Sequence, residues 1–400
     1  MKFRLANFII FLVYLYLPID TLNGILIRNQ DLSISPIYKV FILLLMIYYL
    51  LKNGIYSPLK WILFFSLIFL LHASMGILSN MDFIWGLKFL AIVISFSFFR
   101  KLIVEGRQDV VKNLAFISFA IITFNVIIGV SGYGYAQYAR NDIGTRGLFY
   151  AGNELGVLLL LTSIIVLTHY LQKKSNMKYL FFSLVFIIFG GMLATKTALL
   201  GQVLVVCILP LIHFFQTSKG LIINKRSLKL ITFGSIILLI GLPYLINYVL
   251  YEMNLIARLS YWSEKVDTTT LIFSGRNLLA EEVYDYWVFR GNFFNNLFGY
   301  GYNELLNVVG RSVEIDAIDL FMVFGILSVL AMYGFFINQF FKGSKSNSKA
   351  FIYRPYVRFG ILFLLVLSCM SGHVLNSGMA GLLMGAFLSL QYYFEENYEG

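Results

Sequence analysis

The sequence predicts an all-α, polytopic membrane protein. Of its 400 residues, 59% are hydrophobic and only 13% are charged, against roughly 25% charged residues in soluble domains. Apolar stretches of about 20 residues, the length of a helix that crosses a hydrocarbon core, recur along the chain. The alternating pattern of a membrane β-barrel is absent, so helices are the expected way to satisfy backbone groups in lipid.

About twelve apolar stretches are predicted to span the membrane. They cover residues 5–23, 36–51, 58–78, 82–99, 113–130, 147–171, 178–194, 197–215, 229–250, 317–341, 356–371 and 373–394. The first follows Lys2 and Arg4 as a signal peptide would, but Pro18-Ile19-Asp20-Thr21 offers no small-residue cleavage site. We therefore interpret it as a span.

Basic residues predict the orientation of these spans. With the N-terminus in the cytoplasm, every inner loop carries Lys or Arg, as the positive-inside rule requires. Both termini are then predicted to be cytoplasmic. The net charge of +11 follows from this topology and from anionic lipid, so nucleic-acid binding is not expected.

The chain is predicted to form one integrated domain with three parts. Residues 1–250 hold spans one to nine, 251–316 form a long outer loop, and 317–400 hold spans ten to twelve and a cytoplasmic tail. The outer loop is rich in aromatic residues, which argues against disorder. Residues 276–290 are predicted to form an amphipathic helix, and "LFGYGYNELL" a glycine turn before another short helix. We expect a folded outer cap.

Ionisable side chains at the outer ends of spans are candidates for function, because burying them is costly. On a helical sixth span, Arg146, Tyr150, Asn153 and Glu154 would form one stripe. The other candidates are Lys196 in a tight outer turn, Arg276 in the long loop, Glu314, Asp316 and Asp319, which lead into span ten, and His373, with Asn376 and Ser377, at the start of span twelve. Their convergence on one side of the membrane favours a site there.

Each residue also has a purely structural interpretation. Arg146 and Lys196 could extend to lipid headgroups, and Asp316 and Asp319 could cap a helix start. Glu314 could pair with Arg311 on the surface, and His373 could make a hydrogen bond between helices. Cys207 and Cys369 both lie in apolar stretches, so neither a disulfide framework nor a metal-binding cysteine cluster is predicted.

Six segments, in order, resemble the bacterial O-antigen polymerase and O-antigen ligase family. They are "RGLFYAGNELG", "TKTALLG", "FSGRNLL", "NNLFGYGYNELL", "VEIDAIDLFMVFGILSVL" and "GHVLNSGMAG". The resemblance covers residues 140–390. It implies a GT-C-like fold in the bacterial inner membrane and a metal-independent, inverting glycosyltransferase without a cofactor.

The resemblance also implies partners and residue roles. The substrates would be a glycan on undecaprenyl diphosphate and an acceptor glycan, and membrane lipid, a chain-length regulator and a flippase would be partners. Arg276 matches the arginine of the family's "SGR" segment, a diphosphate contact. Lys196 stands where ligases carry Ser-Arg, and it keeps the charge without the bidentate geometry. Ligases present a histidine just before the next span, where this chain has Glu314, Asp316 and Asp319, and His373 is not at that position.

These observations predict a polymerase that joins lipid-linked repeat units into O-antigen or capsular polysaccharide at the outer face of the membrane. The predicted catalytic residues are Glu314 or Asp316 as the base and Arg276 as a cation for the leaving group. Arg146, Lys196, Asn153, Glu154, Asp319 and His373 are predicted to bind substrate, with Glu154 orienting Arg146.

Two other functions stay open. A ligase differs only in its acceptor, lipid A core. A transporter of polysaccharide or lipid-linked sugar is the rival that is not an enzyme, because twelve spans are common among transporters and Glu154 could couple to protons. A binding or structural protein leaves the charged outer cluster unexplained.

Overall fold

The computed structural model describes residues 2–138, 143–217, 270, 273–342 and 351–393. The predicted ninth span, 229–250, lies outside the described residues, as do most of the outer loop before residue 273 and the last residues of the tail.

The described chain is mostly helical. Its helices are α1 Lys2–Tyr14, α2 Tyr16–Gln30, α3 Ser35–Lys52, α4 Leu59–Ser74, α5 Asn80–Val104, α6 Asp109–Val130, α7 Gly152–Gln172, α8 Asn176–Met192, α9 Lys196–Thr217, α10 Arg276–Arg290, α11 Phe293–Phe298, α12 Tyr302–Val309, α13 Asp316–Phe341, α14 Arg354–Ser368 and α15 Gly381–Ser389. A 3-10 turn, Leu390–Tyr392, follows α15. The predicted helix over 276–290 and the short helix after the glycine turn are confirmed.

Several helices are long and apolar enough to cross a membrane. Within the described residues these are α3, α6, α7, α9 and α13, and a sixth span forms if α1 and α2, bent by 41°, count as one. The chain is therefore a membrane protein built on helices. The count of twelve spans stays a prediction.

Helix α7 is the centre of the bundle. Within its most apolar stretch, 89% of the residues are buried, and α6, α8, α9 and α15 pack against it. Helix α5 packs against α15, and this contact is close because Gly385 has no side chain. A Cβ atom there would collide with Ser95 and with the carbonyl of Ile92.

A short hairpin that was not predicted precedes α7. Strands β1 Tyr135–Tyr138 and β2 Ile143–Gly147 pair in antiparallel fashion, with Tyr135 opposite Gly147. The predicted sixth span, 147–171, begins instead at Gly152. Gly144 and Gly147 have φ angles of 66° and 60°, a left-handed backbone that suits glycine and interrupts a helix. The predicted helical stripe from Arg146 to Glu154 is therefore wrong.

Helix α13 is broken where α11 and α12 meet it. Gly325 has φ 75° and ψ 176°, outside the helical region. The carbonyls of Met322 and Val323 instead accept hydrogen bonds from Tyr300 N at 2.7 Å and Gly301 N at 3.3 Å. The turn between α11 and α12 thus satisfies backbone groups that the break exposes. We call α10–α12 the cap.

The predicted last span also starts late. Its helix begins at Gly381 rather than at residue 373, so His373, Asn376 and Ser377 do not share a helical face as predicted. His373 has φ 61°, which a helix does not allow. The reason lies in Asp316, which binds the backbone of this segment, as described next.

Candidate functional site

Arg276 and Glu314 form an ion pair where the cap joins the bundle. Arg276 Nη2 and Nε lie 2.7 and 3.2 Å from Glu314 Oε2, and Arg276 Nη1 donates to Met370 O at 3.3 Å. The side chains are 20% and 25% exposed. The predicted surface pair of Glu314 with Arg311 is not formed. One guanidinium therefore connects α10, the approach to α13 and the end of α14.

This guanidinium retains donors for a further ligand. An arginine side chain has five N–H groups. The three nitrogen–oxygen contacts described above each use one of them. Two N–H groups remain, on a side chain that is partly open. Such a group can bind an anion without breaking its bond to Glu314.

Local backbone geometry places this pair. Arg276 begins α10 directly after Ser274 and Gly275, whose φ angles are 57° and 80°. Glu314 also has a positive φ, 62°, a conformation that is uncommon for residues other than glycine. Strain of this kind occurs where the surrounding contacts impose it.

Those contacts come from Asp319 and Asp316, both almost completely buried. Asp319 accepts hydrogen bonds from Val313 N at 2.7 Å and Glu314 N at 3.0 Å. Asp316 accepts bonds from the backbone N–H of His373, Val374 and Leu375 at 2.7, 3.0 and 2.7 Å. Asp319 thus holds the backbone of Glu314, Asp316 holds the backbone of residues 373–375, and Glu314 is the accessible carboxylate of the three.

Glu154 pairs with Lys88, not with Arg146 as predicted. Lys88 Nζ lies 3.3 Å from Glu154 Oε1, and Glu154 Oε2 accepts bonds from Ser377 Oγ at 3.0 Å and Met379 N at 2.6 Å. The prediction failed because it assumed that residues 146–154 form one helix. Glu154 instead joins α5 and α7 to the segment before α15.

Lys88 was not among the residues predicted for the site. Its signal was present, because Lys88 is a single lysine inside the apolar stretch 82–99 and such a residue needs a partner. A second buried pair was overlooked in the same way. Lys39 Nζ lies 2.7 Å from Asp20 Oδ1, and the hydroxyl of Ser35 also bonds to Asp20.

Of the remaining predicted residues, His373 lies within electrostatic range of both ion pairs, Arg276–Glu314 and Lys88–Glu154. His373 packs its ring against Trp85, with centroids 6.1 Å apart, and Asn153 is exposed. Arg146 lies on β2, where its Nη1 donates to Tyr150 O at 2.7 Å. Lys196 begins α9, but its side chain lies outside the described part of the structure.

The cap carries a pocket of about 450 Å³ between α10 and α12. Its lining residues are Glu282, Asp285, Tyr286, Arg290, Glu304, Asn307 and Val308. Tyr286 donates to Glu304 Oε1 at 2.6 Å and Asn307 to Glu304 Oε2 at 3.0 Å. Burial and the neighbouring Glu304 raise the pKa of Tyr286 to about 12, so the phenol stays protonated and donates at neutral pH.

Comparison with protein-family models, with curated proteins and with solved structures finds no match to this chain. The resemblance to O-antigen polymerases and ligases therefore rests on the six quoted segments. Among the residues that the structure describes, no group of three or more His, Cys, Asp or Glu side chains is arranged to hold a metal ion.

Proposed function

We propose that this protein is a membrane glycosyltransferase that joins oligosaccharides carried on a lipid diphosphate. The observation that carries the proposal is the Arg276–Glu314 pair, partly open and held between the cap and the bundle. A carboxylate and a guanidinium with free donors are the two groups that such a transfer requires.

Glu314 is proposed as the general base. Its carboxylate takes the proton of an acceptor hydroxyl, whose oxygen attacks the anomeric carbon of the donor sugar. The bond from that carbon to the diphosphate breaks, and the diphosphate leaves with the electron pair. Arg276 orients Glu314 through two hydrogen bonds, and its remaining N–H groups stabilise the negative charge that develops on the leaving group.

Asp316 and Asp319 are proposed as positioning residues. Their oxygens accept five backbone N–H bonds, so neither presents a free oxygen edge comparable to that of Glu314. This supports Glu314, rather than Asp316, as the proposed base.

The cap pocket fits the acceptor glycan. Carboxylates, an amide and a phenol bond well to sugar hydroxyls, which both donate and accept. Glu282 lies six residues after Arg276 on α10, about 9 Å along the helix. A glycan held in the pocket can therefore extend toward Glu314.

The cellular setting belongs to the same proposal. We propose the bacterial inner membrane, with both termini cytoplasmic, and undecaprenyl diphosphate as the lipid carrier. A repeat-unit polymerase is preferred to a ligase because carboxylates, not histidine, precede α13. A flippase that supplies the donor and a chain-length regulator are the proposed protein partners.

The test is reconstitution of the full chain in proteoliposomes with the lipid-linked repeat unit isolated from a strain that lacks the protein. We expect longer oligomers and free undecaprenyl diphosphate. Glu314→Gln should lower the rate by about 10²–10⁴-fold, the usual contribution of a general base. Glu105→Gln, which removes an exposed carboxylate paired with Lys101, is the control and should leave the rate unchanged.

A wild-type rate for Glu314→Gln at an equal protein level contradicts the proposal. Transport is the second candidate, because the buried Lys88–Glu154 and Lys39–Asp20 pairs lie inside the bundle, where transporters carry coupling residues. Movement of the lipid-linked substrate across the bilayer with no change in its length would favour that candidate.

A further inference from the structure

Two arginine side chains, Arg28 and Arg146, lie beside the β-hairpin. Arg28 lies in the last turn of α2 and its Cζ is 3.2 Å from the ring centroid of Tyr135 on β1. Tyr135 is paired with Gly147, the residue after Arg146. Arg28 and Arg146 lie within electrostatic range of each other and of the phenols of Tyr135 and Tyr150.

The backbone brings these residues together. Gly24, one turn before Arg28, lies against the backbone of Leu148 and Tyr150, and a Cβ atom there would collide with the Leu148 carbonyl. The hairpin is therefore pressed against α2. Tyr135 and Ala136 pair with Gly147 and Thr145, so Arg146 is the extra residue of a bulge, and it lies within electrostatic range of Tyr135.

Among the described residues, neither guanidinium has a carboxylate partner. No ion pair within the described residues includes Arg28 or Arg146. Arg146 Nη1 bonds to Tyr150 O, but its Nε is buried and has no hydrogen-bond partner. Leaving a buried charged donor unpaired is costly.

A structural role explains only part of this arrangement. The C-terminus of α2 and the ring of Tyr135 stabilise the charge of Arg28. They do not satisfy Arg146 Nε, and they do not remove the repulsion between two neighbouring like charges. An anion bound between the guanidiniums would do both.

We propose that Arg28 and Arg146 form a binding site for the phosphate of a lipid, either a phospholipid headgroup or the diphosphate of a lipid carrier. The planar fork of arginine matches phosphate oxygens in pairs. Both side chains are half-buried and Tyr150 is 52% exposed, so the site is open to a ligand. The site is separate from Arg276, and it does not rest on the proposed glycan transfer.

The experiment measures ligand binding to the purified full-length protein by native mass spectrometry. Farnesyl diphosphate and phosphatidylglycerol are the probes, with farnesol and diacylglycerol as phosphate-free controls. Arg28→Gln and Arg146→Gln should each weaken binding of at least one phosphate probe by about tenfold or more. Arg28→Lys and Arg146→Lys keep the charge and should lose less.

Arg311→Gln is the matched control, since it removes an exposed guanidinium from the loop before α13. It should leave both affinities unchanged. Selective loss of phosphatidylglycerol identifies a headgroup site, and selective loss of farnesyl diphosphate identifies a carrier site. Unchanged binding of both probes to folded glutamine variants overturns the proposal, as does an equal loss of the phosphate-free controls.

Arg276→Gln separates this site from the proposed catalytic one. Binding of farnesyl diphosphate that depends on Arg276 but not on Arg28 or Arg146 would support the glycosyltransferase. It would overturn the second site if the binding of phosphatidylglycerol is also independent of Arg28 and Arg146. Binding of farnesyl diphosphate that depends on Arg28 and Arg146 but not on Arg276 would support the second site and count against Arg276 as a diphosphate contact. Melting temperatures of all variants establish that each protein is folded.

Discussion

Glu314 and Asp316 stand two residues apart, and their surroundings give them different chemistry. Asp316 is enclosed and its oxygens receive three backbone N–H groups. Glu314 is a quarter exposed and pairs with the guanidinium of Arg276, which has two further N–H donors. A base must reach the proton that it removes, so access rather than residue type distinguishes the two.

The Lys88–Glu154 ion pair also depends on its surroundings. Glu154 is buried and Lys88 is half-buried, and the pair is stabilised by mutual attraction and by the bonds from Ser377 and Met379. Removing one partner leaves the other charge buried and unpaired, which costs more than removing both.

We predict that Lys88→Met destabilises the protein by roughly 3–5 kcal/mol. The double variant Lys88→Met with Glu154→Gln should recover a large part of this loss, because no uncompensated charge remains. Unfolding in mixed detergent micelles, followed by tryptophan fluorescence, measures the three free energies.

Lys101→Met is the matched control, because Lys101 pairs with Glu105 at the surface with 29% and 36% exposure. Such a pair contributes about 0.3–0.5 kcal/mol. If Lys88→Met costs no more than Lys101→Met, the buried pair does not stabilise the bundle.

Among the elements, α13 is the one that its neighbours shape most. Its break at Gly325 accepts the turn between α11 and α12, and His72 of α4 contacts Phe298 O at 2.8 Å from the other side. The break therefore docks the cap on the bundle. The contact between this break and the α11–α12 turn joins the cap, which carries Arg276, to α13, which follows Glu314. It therefore helps to position the two side chains relative to each other.

We predict that Gly325→Ala destabilises the docked cap by about 1–3 kcal/mol or more. Its φ of 75° and ψ of 176° suit glycine almost alone, and an added Cβ would collide with the carbonyl of Leu297. Hydrogen exchange of the amides of Tyr300 and Gly301, which bond to Met322 and Val323, should become faster.

Gly334 provides the control within the same helix. It is exposed, and an added Cβ would meet nothing within 4 Å. Gly334→Ala should stabilise the helix by up to about 1 kcal/mol and leave exchange at Tyr300 unchanged. Equal effects of the two substitutions would mean that the break does not hold the cap.

For the whole molecule, orientation follows from charge. The cap, α10–α12, lies at the same end of the bundle as the start of α5, since Asp82 accepts a hydrogen bond from Tyr302 N at 2.8 Å. The loop before α6 contains Arg107 and lies at the other end of α5. The positive-inside rule assigns that end to the cytoplasm, which is still a prediction.

We predict that residues 290 and 109 label from opposite sides of the membrane. In a background with Cys207 and Cys369 replaced by alanine, Arg290→Cys should react with an impermeant maleimide in intact spheroplasts. Asp109→Cys, at a side chain that is 75% exposed, should react only after permeabilisation. Labelling of both from the same side, with the same kinetics, would contradict the predicted topology.

The extent of agreement between sequence and structure differs by element. The helix 276–290 was predictable because its apolar residues repeat at helical spacing. The start of α7 was not, because the strand that carries Arg146 depends on pairing with a partner strand, and glycine patterns alone do not reveal that partner. Lys88 was visible in the sequence, but its partner Glu154 comes from another helix.

The sequence alone determined that this is a helical membrane protein, because the length and polarity of apolar stretches are properties of the chain itself. It also marked Arg276, Glu314 and the buried acids as costly residues that need partners. Only the tertiary structure decided the pairings: Arg276 with Glu314, Lys88 with Glu154, Arg146 beside Arg28. Such contacts join residues far apart along the chain, and packing, not local propensity, brings them within bonding distance.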